Sequence, residues 1–382
     1  MHTHLLPWLW ACMQRHENTP SHISFHLAAL ESGGCLICCR LDFALDQLDE
    51  YVLAAGEGAS VADVFEGLIF VGGCAMNVKL NQLMQAKYPF RVFVPSAPND
   101  SGLTIGAAWS VLPPSLLSRN SVARLGMPLW DIADLPALIV KRNAKRVSIE
   151  DIAELLLRNN VLAVVRGRQE VGPRALGHRS LIGLPDSAEM KDTMNRLKVR
   201  QDWRPVAPIV KYERRILDSL FNYTAMGGGE GANERYANDE GKYSSPYMSF
   251  APKLFSAVQA ALPAISHIDG TARLQTLSAQ DDRWLHELLC LLEKAGKYPV
   301  LMNTSFNSRG APIVNTLASS LHMLDTLDGL DYLVVEEEWL FQKGTAATDS
   351  TARYERSASD TRGGMVHAWI ADRAAFATLD SN

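Results

Sequence analysis

The sequence lacks any apolar run long enough to cross a membrane. Stretches such as Trp8–Met13 and Val161–Val165 fall far short of the ~18 residues a spanning helix needs. It also lacks a basic surplus: 37 Lys and Arg stand against 42 Asp and Glu, a net charge of −5. No global field therefore advertises nucleic acid or an anionic membrane surface. The start, Met1 to Trp10, is apolar but has no Lys or Arg before it and carries Pro7 inside it, which argues against a secretory leader. No internal repeat, heptad array or glycine-every-third pattern is present, which excludes solenoid, coiled coil and collagen. Cysteine is scarce, with Cys12, Cys35, Cys38, Cys39, Cys74 and Cys290 the full set, so a disulfide scaffold is excluded. Cys35, Cys38 and Cys39 form half of a zinc pattern, but no second pair follows at finger spacing, and reduced thiols are the simpler reading. A cytoplasmic enzyme or binding protein remains.

What is present is ordinary globular material: 47% hydrophobic and 21% charged over 382 residues, enough at ~150 residues per domain for two to three domains. Residues 1–60 show no steady periodicity. Val61–Glu66 reads as a short helix capped by Ser60. Leu68–Val71 reads as a strand, Gly72–Gly73 as a turn, and a helix follows with Met76, Leu80, Leu83 and Met84 on one face. Phe90–Val94 is a second strand, and Ser101–Val111 a small-residue helix with Asp100 as N-cap. This βαβα unit, 61–115, implies a parallel strand pair. Residues 116–148 look like a linker. A further α/β domain over 149–343 opens with an amphipathic helix (Ile149–Asn159) and a buried strand (Val161–Val165). In it Asp186 and Glu189 form a capping box. The helix they open directs Met190, Met194 and Leu197 one way and Lys191, Asn195 and Lys198 another. Gly227–Gly241 reads as a mobile loop, and residues 344–382, rich in Ser, Thr, Ala and Asp, as a disordered tail.

Charge reverses locally. Residues 158–204 carry ten basic side chains against five acidic ones, inside a chain that is acidic overall. Four of the arginines fall in Arg166-Gly-Arg-Gln-Glu-Val-Gly-Pro-Arg-Ala-Leu-Gly-His-Arg179. Glycines let backbone N–H groups approach an anion and Arg forks clamp phosphate oxygens, so this loop points to phosphate more than to a solvated basic face. Asn303-Thr-Ser-Phe-Asn-Ser-Arg-Gly310 leaves a strand with amide, hydroxyl and guanidinium donors together, although such a string also suits a polar turn. Gly72-Gly73-Cys74-Ala75-Met76-Asn77 is a strand–helix junction of the kind that receives phosphate, or simply a tight turn. His22 and His26, at i and i+4, would share a helix face suited to a metal, although with no carboxylate nearby in sequence such a pair is more often accidental.

The order of these strings, with Met190-Lys-Asp192, Trp203-Arg-Pro205, Ser245-Pro-Tyr-Met248 and His267-Ile-Asp-Gly-Thr-Ala-Arg273 between them, resembles the O-carbamoyltransferases that modify nodulation factors and cephalosporins. The resemblance runs from about Gly67 to Lys343. It implies a partial actin-like (ribonuclease-H-like) βαβα unit followed by an α/β domain similar to threonylcarbamoyl-adenylate synthases. It implies ATP and carbamoyl phosphate as substrates of carbamoyl adenylate formation, and transfer of the carbamoyl group to a small-molecule hydroxyl acceptor. By the same resemblance Lys191, Arg168 and Arg273 are catalytic, and Arg196, Asn303, Ser305, Gly72, Gly73 and Asn77 bind the nucleotide and carbamoyl group. His22, His26 and Asp100 would hold Fe(II) or another divalent metal. Only about 45 residues separate the two histidines from Gly72, so much of the first half of an actin-like domain is missing here. A shortened chain, a homodimer or a complementing N-terminal chain is the expectation. The alternatives are a non-catalytic nucleotide-binding subunit and a synthase that uses bicarbonate and threonine.

Overall fold

Strand pairing begins in the computed structural model with β1 (Gly67–Ile69) and β2 (Arg91–Phe93), parallel, with Leu68 opposite Val92. Residues 67–87, 91–113, 122–204, 206–222 and 244–344 are described, all within one unit, Met1–Thr345. The readings of Ser60 to Glu66, of His22 and His26, of Cys12 and the Cys35–Cys39 cluster, of Gly227–Gly241 and of the tail lie outside the described residues.

Helix α1 (Val78–Lys87) links the two strands, and Leu80 and Met84 pack with Ala75, Val92 and Val94. Leu83, expected on that face, is instead 52% exposed. The buried arc is rotated because it takes in Asn81, which is fully buried and donates from Nδ2 to the carbonyls of Ala75 and Ser249 at 2.8 and 2.9 Å. Helix α2 (Leu103–Val111) follows. Asp100 does not cap it through its side chain. It opens a short 3-10 turn, Asp100–Gly102, whose preceding residue is Asn99.

From Val122 onward the expected linker is structured. Helix α3 (Leu135–Arg142) ends at Asn143 in the left-handed region (φ 48°), and β3 (Lys145–Arg146) becomes a sheet edge. Next come α4 (Ile149–Leu157), β4 (Leu162–Val165), β5 (Arg179–Gly183), α5 (Ala188–Leu197), β6 (Ala207–Lys211), α6 (Arg214–Leu220) and β7 (Phe221–Asn222). Then follow β8 (Lys253–Leu254), α7 (Ser256–Ala261), β9 (Gln275–Leu277), α8 (Arg283–Lys294), β10 (Val300–Ser305), α9 (Leu317–Thr326), β11 (Tyr332–Val335) and β12 (Trp339–Gln342). Eight of the strands form a mixed sheet in the order β3-β12-β11-β4-β5-β10-β6-β9, with β4/β11 and β6/β9 parallel.

Alternation along the strands builds two cores. Leu162, Val164, Ile182, Leu301 and Val334 face α4 and α8, while Ala163, Val165, Leu181, Met302 and Leu333 face α5, α6, α7 and α9. Both faces are covered, which is why β4 reads as an unbroken apolar run. Helix starts follow side-chain chemistry. Ser148 and Asp151 exchange hydrogen bonds at the start of α4, and Asp282 accepts from the Leu285 N–H at that of α8. At α5 the expected Asp186–Glu189 box is replaced. Ser187 Oγ accepts from Met190 N at 3.2 Å, and Asp186 pairs with Lys297 at 2.8 Å.

Candidate anion-binding site

The Gly/Arg-rich loop between β4 and β5 is anchored before it can bind anything. Arg179 is fully buried, and its guanidinium donates to the carbonyls of Arg166 (2.6 Å), Gly167 (2.9 Å) and His178 (3.0 Å). Arg166 pairs with Asp282 and with Glu337 (2.5 Å), and its guanidinium lies 4.8 Å from the Trp284 ring centroid. Glu170 Oε1 accepts from the backbone N–H groups of Leu176 (2.6 Å) and His178 (2.7 Å). These two arginines and this glutamate hold the loop in shape, so they are not free to clamp phosphate as the loop's composition suggests. Gly172 (φ +127°) allows close approach: a Cβ there would stand 2.1 Å from the Ser96 carbonyl oxygen.

The anchored loop forms one wall of a pocket of about 860 Å³. The end of α5 with the turn after it forms a second wall, and the loop after β10 a third. Arg174, Arg196, Lys198, Arg200, Arg204, Arg273 and Arg309 line it against one carboxylate, Asp202. Such a concentration of one sign is costly without a counter-ion, and the side chains register it. Burial, then Arg200, lowers the Lys198 ammonium to about 8. Burial, then Arg174, Arg200 and Arg204, lowers the Arg273 guanidinium to about 10. Arg200 is lowered to about 10 by burial and Arg204, and Arg174 is lowered by burial. Two buried donors, Arg200 Nη2 and Arg273 Nε, have no hydrogen-bond partner among the described residues. Unpaired buried guanidinium N–H groups facing like charge suit an anion rich in oxygen acceptors, each contact worth ~1.5–3 kcal/mol.

The walls are rigid. Fully buried Asn195, expected on the polar face of α5, accepts from Arg200 Nε at 2.6 Å and donates to the carbonyls of Asp202 and Arg204, each at 2.9 Å. Lys198 Nζ, anticipated only as part of a polar face, clasps the opposite wall. It donates to Ser305 O (2.7 Å), Ser305 Oγ (3.2 Å), Asn307 O (2.9 Å) and Asn307 Oδ1.

Of the residues singled out in the sequence, Arg196, Arg273 and Ser305 line the pocket. Asn303 is buried beside it, donating to Ala175 O and Gln275 Oε1, and its own Oδ1 has no partner among the described residues. Arg168 and Lys191 are not among the lining residues. Arg168 is exposed and donates to the Leu125 carbonyl at 3.2 Å, while Lys191 adds to the field that lowers the His267 imidazole. Asn77 Oδ1 accepts from Lys79 N and Leu80 N, both 3.2 Å, so it caps α1. Gly72 (φ +97°) and Gly73 are exposed with open space around them. Asp100 is exposed, and among the described residues no three His, Cys, Asp or Glu side chains are grouped to hold an ion. The described donors do not by themselves make a metal site. Arg174 belongs to the Arg166–Arg179 loop and Arg309 to the Asn303–Gly310 string, whereas Arg200 and Arg204 lie outside both candidate strings. The charge reversal over 158–204 already contained three of them.

Residues 153–343 match the family model of the carbamoyltransferase C-terminus, and residues 47–109 that of the carbamoyltransferase N-terminus. The chain belongs to the carbamoyltransferase family. Curated relatives include nodulation protein U of Sinorhizobium fredii, 36% identical over 64% of this chain and 40% of its own length. Another is the 3'-hydroxymethylcephem-O-carbamoyltransferase of Amycolatopsis lactamdurans, 28% identical over 82% of this chain and 55% of that protein. The chain thus spans about two fifths of the length of the nodulation proteins it matches. Among solved structures, HypF of T. kodakarensis overlaps 48% of this chain at 16% identity, with a TM-score of 0.32, too loose to argue from. The pocket lies in the part matched by the family's C-terminal model. Among the described residues no helix is long and apolar enough to cross a membrane.

Proposed function

We propose that the chain carries the activating half of an O-carbamoyltransferase. Water cleaves carbamoyl phosphate to carbamate and phosphate, a carbamate oxygen displaces pyrophosphate from the α-phosphorus of ATP to give carbamoyl adenylate, and the carbamoyl group then passes to a hydroxyl of a small-molecule acceptor with release of AMP. The observation that carries this reading is the cationic pocket with its unpartnered buried N–H groups on Arg200 and Arg273. Both leaving groups are oxyanions that gain charge as their bonds break. A preformed array of cations stabilises that charge without reorganising at the moment of reaction. Arg273 and Arg200 hold phosphate oxygens in this reading. Lys198 keeps Ser305 and Asn307 at the wall, and Asn303 and Ser305 orient the carbamoyl amide. Residues 67–111 stand as the closing strands and helices of an actin-like unit, with Gly72, Gly73 and Asn77 at its nucleotide junction, and the 149–343 domain as the synthase-like part. A divalent metal would serve the transfer step and enters no part of the activation argued here.

The test is carbamoyl-phosphate-dependent exchange of labelled pyrophosphate into ATP. The wild-type chain is expected to catalyse it, Arg273→Ala to lose it, and bicarbonate with threonine not to replace carbamoyl phosphate. Exchange at the full rate in Arg273→Ala would refute the assignment of the pocket. The same assay on Lys191→Ala decides whether that lysine, outside the pocket, belongs to the activation site.

A further inference from the structure

The pocket offers phosphates their partners but offers a nucleotide base no surface, for none of its lining residues is aromatic. An aromatic residue adjoins its lining in the chain. Trp203 lies between Asp202 and Arg204, both lining residues, and is 57% exposed. The Arg204 guanidinium carbon sits 5.7 Å from the centre of the indole ring. A lone tryptophan in water is an ordinary surface feature. This one is held in place, because Asn195 Nδ2 grips the carbonyls of Asp202 and Arg204 at 2.9 Å and so pins the backbone on both sides of it to α5. Asn195 is itself wholly buried. The same amide side chain therefore holds the Arg200 guanidinium in the pocket wall and the backbone on either side of Trp203.

We propose that Trp203 is the platform for the nucleotide base. With the triphosphate among Arg200, Arg204 and Arg273, the purine stacks on the exposed indole surface. Every base has a π-face, and Arg204 beside the indole adds a cation–π contribution. Trp203 is thus a specificity-determining residue: it separates a nucleoside triphosphate from a bare polyphosphate, which the cations alone would accept equally. This inference rests on the activation reading above.

The test measures binding of ATP and of inorganic tripolyphosphate, which has the phosphates without the nucleoside, to the full chain by calorimetry. The wild type is expected to bind ATP more tightly than tripolyphosphate. Trp203→Ala is expected to weaken ATP roughly 5- to 100-fold, the range of a base–aromatic stack, and to leave tripolyphosphate unchanged. Trp203→Phe should restore most of the difference. Thermal unfolding of each variant checks that the fold is kept. If both ligands bind and the gap between them is the same in Trp203→Ala, the platform is refuted while the phosphate pocket stands. If neither ligand binds the wild type, the pocket reading fails and the platform with it.

Discussion

Replacing Arg273 by methionine removes one cation from a pocket whose cations depress one another and keeps much of the side chain's length. Burial and the charges of Arg174, Arg200 and Arg204 bring the Arg273 guanidinium from 12.5 to about 10. At ~1.4 kcal/mol per unit, holding that charge in the folded chain costs about 3 kcal/mol relative to the unfolded one. The sign follows from linkage. A base whose folded pKa is lowered binds its proton less readily when folded, so its charge destabilises the fold at neutral pH, and stability returns only above pH ~10. Methionine removes that cost but loses part of the packing and the contacts the guanidinium does make. The expected net gain is about 1–2 kcal/mol, a rise in Tm of roughly 3–6 °C for a domain of this size, in buffer free of phosphate. Pyrophosphate should reverse the order, because it stabilises the wild type by offsetting the repulsion and finds one partner fewer in the variant. Differential scanning calorimetry with and without pyrophosphate reads both effects. If Arg273→Met is less stable than wild type without the anion, and gains as much as wild type with it, the repulsive-pocket argument is wrong.

Two further outcomes follow from the same geometry. Asn195→Ala strips the partner from two loop carbonyls and from Arg200 Nε. It should cost about 2–3 kcal/mol in urea unfolding, while Asn195→Asp, which keeps the acceptor, should lose less. His267 is held near 4 by burial, then by Lys79 and Arg273, with Lys191 adding to and Asp269 opposing the shift. The unfolded chain therefore takes up this proton first, and stability present above pH ~6.5 is lost as pH falls toward 4. His267→Gln should remove about 1–2 kcal/mol of the wild type's loss between pH 7 and pH 5, measured as the difference in urea midpoints.

The sequence by itself determined several of the elements and the family. β4 reads as apolar from end to end, α8 stops at Gly296, and the βαβα start is visible because periodicity and turn chemistry are local. The strings around Arg168, His267 and Asn303 carried the resemblance, and the charge reversal over 158–204 marked the region of the site. The partner of each polar group was beyond it. Asn81 and Asn195 look like surface residues, yet both are buried, because carbonyls at Ser249, Asp202 and Arg204 reach them only once the chain has folded. Arg166 and Arg179 look like phosphate clamps and are internal ties, since Asp282, Glu337 and backbone carbonyls claim their donors first. Arg273 comes from a segment remote in sequence from Arg174, Arg200 and Arg204, and their repulsion of it exists only where folding brings them to one cavity. Propensity acts over a few residues, whereas hydrogen-bond pairing and Coulomb energy act across whatever distance in sequence the fold closes. The tertiary structure therefore decided which of the chain's many cations form the pocket and which hold its walls.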